Sequence, residues 1–463
     1  MEGFLTALKS VIDNLGATVV LPIIIFFVAL ILGAKPGKAF RAGVTIGIAF
    51  IGINLVIGLM WGTLSGAAQA MVTNWKITRD VVDVGWPSAA AIAFGTDVGL
   101  WVIPIAILVN LVLLLFKLTK TLNIDIWNFW HFAFLGSMVY MVSNNLAYGL
   151  ITAAVAAALA LFFGDWTAKA VQSFYNLPGI SIPHLTTAPG VPFAIVTNWL
   201  LDKIPGVKDW KADPETIQKR FGVFGEPVIL GLVIGLVLGL LGFYNAEGAA
   251  VKILQTGMNL AAVMLLLPRM VQILMEGLIP VSEAARDFMQ KRASGREIYI
   301  GLDSAILIGH PAAISSSLRL VPIAILLSVI LPGNRVILFA DLAVIPFVVA
   351  LFAPLMKGNI FRMIIAGILE LGAGFYIATA MAPLFTAAAQ NAGFAMPAGA
   401  SMITSIGDGF LWPQFVFTKL VQFLGVFGIV VAVALLVVAW FMFLKNTKAW
   451  EVAAGAPAET MKK

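Results

Sequence analysis

Uncharged apolar runs close to bilayer length recur along this chain from Thr18 to Leu444, several of them broken by proline and glycine. A hydrocarbon core about 30 Å thick takes roughly 20 apolar residues to cross as a helix, so runs of this kind are solvable only as helices within a membrane. Of the 463 residues, 60% are hydrophobic and 11% charged, against about 25% charged in soluble domains. That balance excludes the several soluble domains which the length would otherwise suggest. The expected fold class is an all-α polytopic membrane protein.

Eleven spans are expected: Thr18–Leu32, Ala42–Trp61, an interrupted Gly85–Phe116, Ile126–Val142, Asn145–Phe163, Gly225–Tyr244, Ala249–Met275, an interrupted Gly301–Leu331, Phe339–Met356, Ile360–Phe385 and Phe415–Leu444. Gly164–Pro178 reads as a pause and Pro280–Arg296 as an amphipathic stretch along a surface. Gly179–Leu201, which contains Pro183, Pro189, Gly190 and Pro192, makes a poor through-going helix. It reads as a re-entrant hairpin, tolerated where protein or water covers the backbone; Met396–Trp412 reads as a second. Asp202–Phe221 is the one polar linker, so the expected division is a first repeat over 1–201, a linker over 202–221, a second repeat over 222–414, a last helix over 415–444 and a tail over 445–463.

The halves resemble each other. Val102–Leu113 aligns with Leu320–Leu331 at six identities in twelve, and Gly85-Trp-Pro-Ser-Ala89 with Gly301-Leu-Asp-Ser-Ala305. The matched Pro104/Pro322, Gly85/Gly301 and Ser88/Ser304 exceed what two merely apolar segments would share. Five spans and a hairpin per copy force the second copy to enter the membrane inverted, an arrangement typical of secondary-type transporters. An amino terminus outside and a carboxy terminus inside puts 21 of the 29 Lys and Arg on the cytoplasmic side and 5 on the outer side, the bias expected of cytoplasmic loops.

The formal charge of +6 is spread over these loops, which reports topology and no nucleic-acid partner. Glu2 and Asp13 without a cleavage-site pattern speak against a signal peptide. With no cysteine the chain has no disulfide, zinc–thiolate or phosphocysteine chemistry of its own. No phosphate-binding glycine loop and no selectivity-filter pattern is present, which argues against ATP drive and a channel.

Ionisable groups inside spans are candidates for function because burying them is costly. All three histidines, His131, His184 and His310, fall in or beside broken elements. Asp303 precedes His310 by seven residues, about two helical turns, which predicts one shared face. An acid and a histidine so placed can bind and deprotonate a hydroxyl. Trp86, Ser88, Thr96 and Asp97 from the first half and Asp408 from the second hairpin could converge with them on a neutral, hydroxyl-rich solute. Plainer readings stand beside these: His131 as an interface anchor among tryptophans, His184 and His310 as structural hydrogen-bonders, Asp97 as a local cap. Asp125 and Asp341, matched across the repeats, read as caps or loop residues, and Glu226 as a helix-start residue. Glu370, in mid-span, is either an interface residue or a site carboxylate.

Asp83-Val-Gly-Trp-Pro87, Asp125-Ile-Trp-Asn128 with His131, Gly179-Ile-Ser-Ile-Pro-His184, Phe221-Gly-Val-Phe-Gly-Glu-Pro227, Leu265-Leu-Leu-Pro-Arg269, Gly301-Leu-Asp303 with Gly309-His310, and Pro332-Gly-Asn334 together resemble the galactitol-specific IIC components of the bacterial phosphoenolpyruvate-dependent phosphotransferase system. The similarity runs from about residue 15 to 445, with the motifs in order and spacing; Ser88 stands where the family pattern has glycine. The resemblance implies a homodimeric inner-membrane permease of the ascorbate–galactitol superfamily, with eleven spans and two hairpins. A mobile core would carry substrate past a dimerising scaffold embedded in lipid, in an elevator movement. It also implies Trp86, His131, His184, Asp303, His310 and Asp408 as substrate residues. No cofactor or metal is implied; the partners are separate IIA and IIB proteins, the latter phosphorylating the polyol from a phosphocysteine. The alternatives are a proton- or sodium-coupled polyol symporter and a sensing receptor, and the polyol stays open between galactitol and a related pentitol or hexitol.

Overall fold

The computed structural model describes residues 17–77, 79–125, 128–207, 210–221, 226–292, 297–338, 340–394, 396 and 401–458. Glu2, Asp13, Trp127, the Gly222–Gly225 part of one motif, Arg296 and the carboxy-terminal Lys462 and Lys463 lie outside the described residues. The first half runs α1 (Ala17–Ile31), α2 (Pro36–Asn74), β1 (Val81–Asp83), α3 (Trp86–Phe94), α4 (Asp97–Leu115), β2 (Thr121–Asn123), α5 (Asn128–Ser143), α6 (Leu146–Phe174), β3 (Ile180–Ser181), a 3-10 turn at Ala188–Gly190 and α7 (Val191–Leu201). After α8 (Pro214–Phe221) the second half follows a similar order of helices and strands. It runs α9 (Pro227–Phe243), α10 (Ala249–Arg292), β4 (Tyr299–Gly301), α11 (Ala305–Ile308), α12 (Pro311–Ile330), β5 (Val336–Ile337), a 3-10 turn at Ala340–Val344, α13 (Ile345–Ala350), α14 (Phe352–Leu355), α15 (Ile360–Asn391), β6 (Met402–Thr404), α16 (Ile406–Phe410) and α17 (Trp412–Leu424). Helices α18 (Val426–Lys445) and α19 (Thr447–Ala453) close the chain.

Among the described residues seven helices are long and apolar enough to cross a membrane. The chain is an all-α multi-pass membrane protein with two small sheets. Three boundaries differ from the sequence expectation. Helix α10 continues without a stop through Pro268 and Pro280 to Arg292, where a separate surface stretch was expected; an internal proline removes one helical hydrogen bond, which a long membrane helix can absorb. Helix α6 runs on to Phe174 through the expected pause because the polar residues there are buried partners: Asp165 accepts from the backbone N–H and the hydroxyl next to it at Lys120 and Thr121, and Trp166 Nε1 donates to the Trp450 carbonyl. The expected last span is two helices, divided at Gly425, whose φ of 56° no L side chain adopts easily.

Breaking a helix inside a membrane frees backbone groups that lipid cannot satisfy. Here the breaks satisfy one another. One parallel sheet has the order β5-β1-β6, with Val81 opposite both Val336 and Met402; the other has the order β2-β4-β3, with Ile300 opposite both Leu122 and Ile180. In each, the middle strand comes from one half of the chain and both flanking strands from the other. Carboxylates complete the pattern. Asp83 accepts from the N–H groups of Gly85, Ile406 and Asp341. Asp341 accepts from Trp86 N and Gly407 N and from the Ser405 hydroxyl, at 2.9, 2.8 and 2.5 Å. One buried acid thus serves the starts of α3 and α16 together.

Just before the middle strand of the other sheet, Glu297 bridges Lys169 and Lys120 at 2.9 and 3.2 Å. Burial pushes its carboxyl up, but hydrogen bonds from Lys169 and Tyr299 and the Lys120 charge outweigh it and hold the group at about 2 against an ordinary 4.5. A depressed acid favours folding above its ordinary range, so this contribution is complete above about pH 4.5 and lost as pH falls through about 2. Glu297→Gln is therefore expected to lower thermal stability at pH 7 and to narrow its gap to the unsubstituted protein towards pH 2, read from melting curves across that range. Asp341→Ala strands three donors, each costing roughly 1–3 kcal/mol when buried and unpaired. It should destabilise the detergent-solubilised protein by about 3 kcal/mol or more; an unchanged melting temperature would contradict the capping role.

Candidate functional site

A cavity of about 410 Å³ opens where the breaks meet. Its walls come from both halves of the chain: Trp86 of α3, Trp130 of α5, His184 and Thr186 of the first hairpin, Asp303 beside α11, Phe347 of α13, and Gly407 of the second hairpin, with Phe50 and Asn54 of α2 along one side.

The polar wall is built by the start of α5. Asp125, Asn128 and His131 recur at a spacing of three, which puts them on one side of the helix start, and each reaches the first hairpin. Asp125 Oδ2 lies 2.7 Å from His184 Nδ1. The Asn128 side chain donates to the Pro183 carbonyl and accepts from Leu185 N at 3.2 Å, gripping the backbone on both sides of His184. His131 Nε2 pairs with the Thr186 hydroxyl at 2.6 Å, and its ring meets that of His184 edge-on at 4.9 Å. Asp303 completes the group: its Oδ1 is 4.0 Å from His184 Nδ1 and accepts from Ala305 N at 2.7 Å, which caps α11. The aromatic wall is Trp86 stacked on Trp130 at 6.1 Å, with Trp130 stacked in turn on His131 at 3.8 Å.

Four of the residues singled out in the sequence belong to this region or touch it directly: Trp86, His184 and Asp303 line the cavity, and His131 backs it through Thr186; Asp408 only follows the lining Gly407 in sequence. Ser88 and His310 do something else. The Ser88 hydroxyl donates to Gly85 O at 2.6 Å inside the first turn of α3. His310 caps α12, its Nδ1 accepting from Ala312 N at 3.1 Å and its ring against Phe174 and Tyr175. The shared helical face expected for Asp303 and His310 does not form, because Gly309 and Pro311 divide α11 from α12. Thr96 pairs with Ser137 away from the cavity, at 2.7 Å. Asp341 is the cap expected of it, whereas Asp125 holds an imidazole. The residues not singled out beforehand include Asn128, Trp130, Thr186, Phe50, Asn54 and Phe347; the three-residue spacing of Asp125, Asn128 and His131 was the available signal for the first.

The ligating atoms of Asp125, His184 and Asp303 lie within 4.8 Å of one another, a donor set that could hold a cation. As arranged, Nδ1 is already committed to the 2.7 Å contact with Asp125, so the geometry is that of a hydrogen-bonded acid–imidazole pair. Hydroxyl-rich solutes suit such a lining: acceptors and donors for the hydroxyls on one side, flat apolar faces for the C–H surface on the other.

Glu370 stands apart. It is 2% exposed in the middle of α15, and both carboxylate oxygens are buried without a hydrogen-bond partner among the described residues. It rests on the first hairpin so closely that a Cβ on Gly190 would lie 2.8 Å from its Oε1. Glu370→Met should raise the melting temperature, since it removes an unsatisfied polar group worth roughly 1–3 kcal/mol. A marked fall would reveal a partner acquired in the membrane.

Broken helices around a cavity with a polar wall and an aromatic wall, in a chain with several apolar helices long enough to cross a membrane, fit a membrane permease. Residues 10–399 match the family described as the PTS system sugar-specific permease component, EIIC-GAT, and the chain belongs to that family. It is 42% identical over 406 residues, 88% of each chain, to the PTS system galactitol-specific EIIC components of Escherichia coli K12 and O157:H7. It is also 39% identical over 435 residues to a protein of Escherichia coli K12 named as a permease IIC component, covering 94% of this chain and 98% of that one.

Proposed function

We propose that this permease binds galactitol in the cavity under Trp86 and Trp130 and delivers it to the cytoplasmic side, where a phosphocysteine on a separate IIB protein, itself recharged by IIA, phosphorylates it. The observation that carries the reading is the polar wall of His184, Asp303 and Thr186 facing two stacked tryptophans in a chain 42% identical to galactitol-specific components. His184 and Asp303 would take the polyol hydroxyls, and the indole rings its carbon face. The cavity has room for a six-carbon polyol.

The architecture favours two inverted repeats of five spans and a hairpin, with a last helix after them. Element order repeats across the halves, and each sheet inserts one half's strand between two of the other's. The alternation of crossings read from the sequence assigns β1, β5 and β6 to one side and β2, β3 and β4 to the other, the grouping in which the strands pair. With 21 positive residues against 5, the second group is cytoplasmic, the amino terminus outside and the carboxy terminus inside. In this reading the hairpins and broken helices form a core that moves past a homodimeric scaffold in the lipid of the inner membrane. Membership of a phosphotransferase family weighs against the symporter alternative.

Uptake of radiolabelled galactitol into cells expressing the chain, with and without IIA and IIB, tests this. Phosphorylated galactitol appearing only with both partners is the expected result; free galactitol accumulating without them and collapsing with an uncoupler would establish the symporter instead. His184→Ala and Asp303→Ala are each expected to lower uptake at least about tenfold, given roughly 1.5–3 kcal/mol for a hydrogen bond to a charged group, with the folded protein intact on size exclusion. Normal uptake by both would remove the site assignment.

A further inference from the structure

We infer that Asp125 is a positioning residue for phosphoryl transfer: it holds His184 in the tautomer whose Nε2 accepts the proton of the polyol hydroxyl. The inference rests on the proposed function for its substrate and donor. Its geometry is independent of that reading.

Asp125 is 2% exposed and its Oδ2 is 2.7 Å from His184 Nδ1. A carboxylate offers only acceptors, so the hydrogen on this contact belongs to the imidazole, and Nδ1–H donates to Asp125. In the neutral ring the other nitrogen then carries a lone pair. Nε2 has no hydrogen bond to any described residue, and His184 lines the cavity. The ring cannot turn over without breaking the Asp125 contact, and Asn128 grips the chain at Pro183 and Leu185, so the backbone beneath the ring is held as well. This is the relation of acid, imidazole and reacting hydroxyl that activates weak oxygen nucleophiles elsewhere.

The second half shows what the same carboxylate does without an imidazole. Asp341, matched to Asp125 in sequence, accepts from the backbone N–H of Gly407 in the second hairpin. Where that hairpin presents a glycine N–H, the first presents a cavity-lining side chain whose second nitrogen has no hydrogen bond among the described residues. One repeat's carboxylate therefore ends at a backbone, and the other's acts through an imidazole on whatever occupies the site.

The step balances as follows. The hydroxyl oxygen bonds to phosphorus of the partner's phosphothiolate, the P–S bond breaks with its electron pair leaving on the thiolate, and the hydroxyl proton passes to His184 Nε2. Asp125 touches none of the reacting atoms. Asp303, 4.0 Å from Nδ1 and committed to the Ala305 N–H, lines the cavity beside the imidazole.

The test uses the full chain in lipid vesicles with its phosphorylated IIB partner. Galactitol affinity is measured by calorimetry and phosphorylation by single turnover. Asp125→Asn is expected to keep affinity within about threefold while slowing phosphorylation by about 100-fold, the lower end of what a positioned base contributes; Asp125→Glu should recover at least about tenfold of that loss. Wild-type turnover in Asp125→Asn, or a parallel loss of affinity and rate that Asp125→Glu does not repair, overturns the inference. Should Asp125→Asn fail to fold, nitrogen-15 NMR of the unsubstituted protein decides, with the His184 signal assigned by its absence from His184→Gln. An Nδ1–H, bare Nε2 ring is expected, and an Nε2–H ring refutes the role. The NMR readout needs no substrate, so failure of the unsubstituted chain to bind or phosphorylate galactitol would strike the proposed function and leave this assignment to its own result.

Discussion

A helix that breaks inside a membrane exposes backbone donors and acceptors to a solvent that offers them nothing, and the rest of this structure follows from where those groups find partners. Water is scarce there and each unpaired group is expensive. The chain answers with six strands of two or three residues and with carboxylates set against backbone N–H groups. Because every strand pairs with strands of the opposite half, neither half can complete its own sheets. The two therefore interlock, and a cavity is left where they cross.

Backbone N–H groups and hydroxyls also explain why several acids are tolerated in an apolar core. Asp83, Asp341 and Asp165 are each 5% exposed or less, and each receives several hydrogen bonds. They act as acceptors that terminate helices and hold strands. Asp125 occupies the matching place in the first half but meets an imidazole, which turns a structural device towards the cavity. The fold demands only that a buried acceptor be satisfied, and an imidazole N–H satisfies Asp125 as well as peptide N–H groups satisfy Asp341.

Much of this was legible in the residues. Apolar runs located the helices, and proline and glycine located the breaks, because a helix interior tolerates neither without cost. The pairing of Pro104 with Pro322 exposed the internal similarity. Three features misled. Asp165 and Trp166 looked like the end of a helix because polar residues usually mean exposure, yet both are buried against other segments. Pro280 looked like a stop and is spanned. Asp303 and His310 looked like one face, a reading that assumes an unbroken helix from Asp303 to His310, whereas the helix there covers only Ala305–Ile308.

The sequence by itself determined that this chain is a multi-pass helical membrane protein, where its helices break, and which family it joins, since these depend on local hydropathy, backbone restrictions and ordered motifs. Only the tertiary structure decided that Asp125 faces His184, that Asn128 grips the chain on either side of it, that Ser88 and His310 turn away from the cavity, and that Glu370 rests unpartnered on Gly190. Those are contacts between segments as many as 180 residues apart (Gly190 to Glu370). For Asp125, Asn128 and Glu370 no local rule applies, because each contact depends on which distant segment the fold brings opposite.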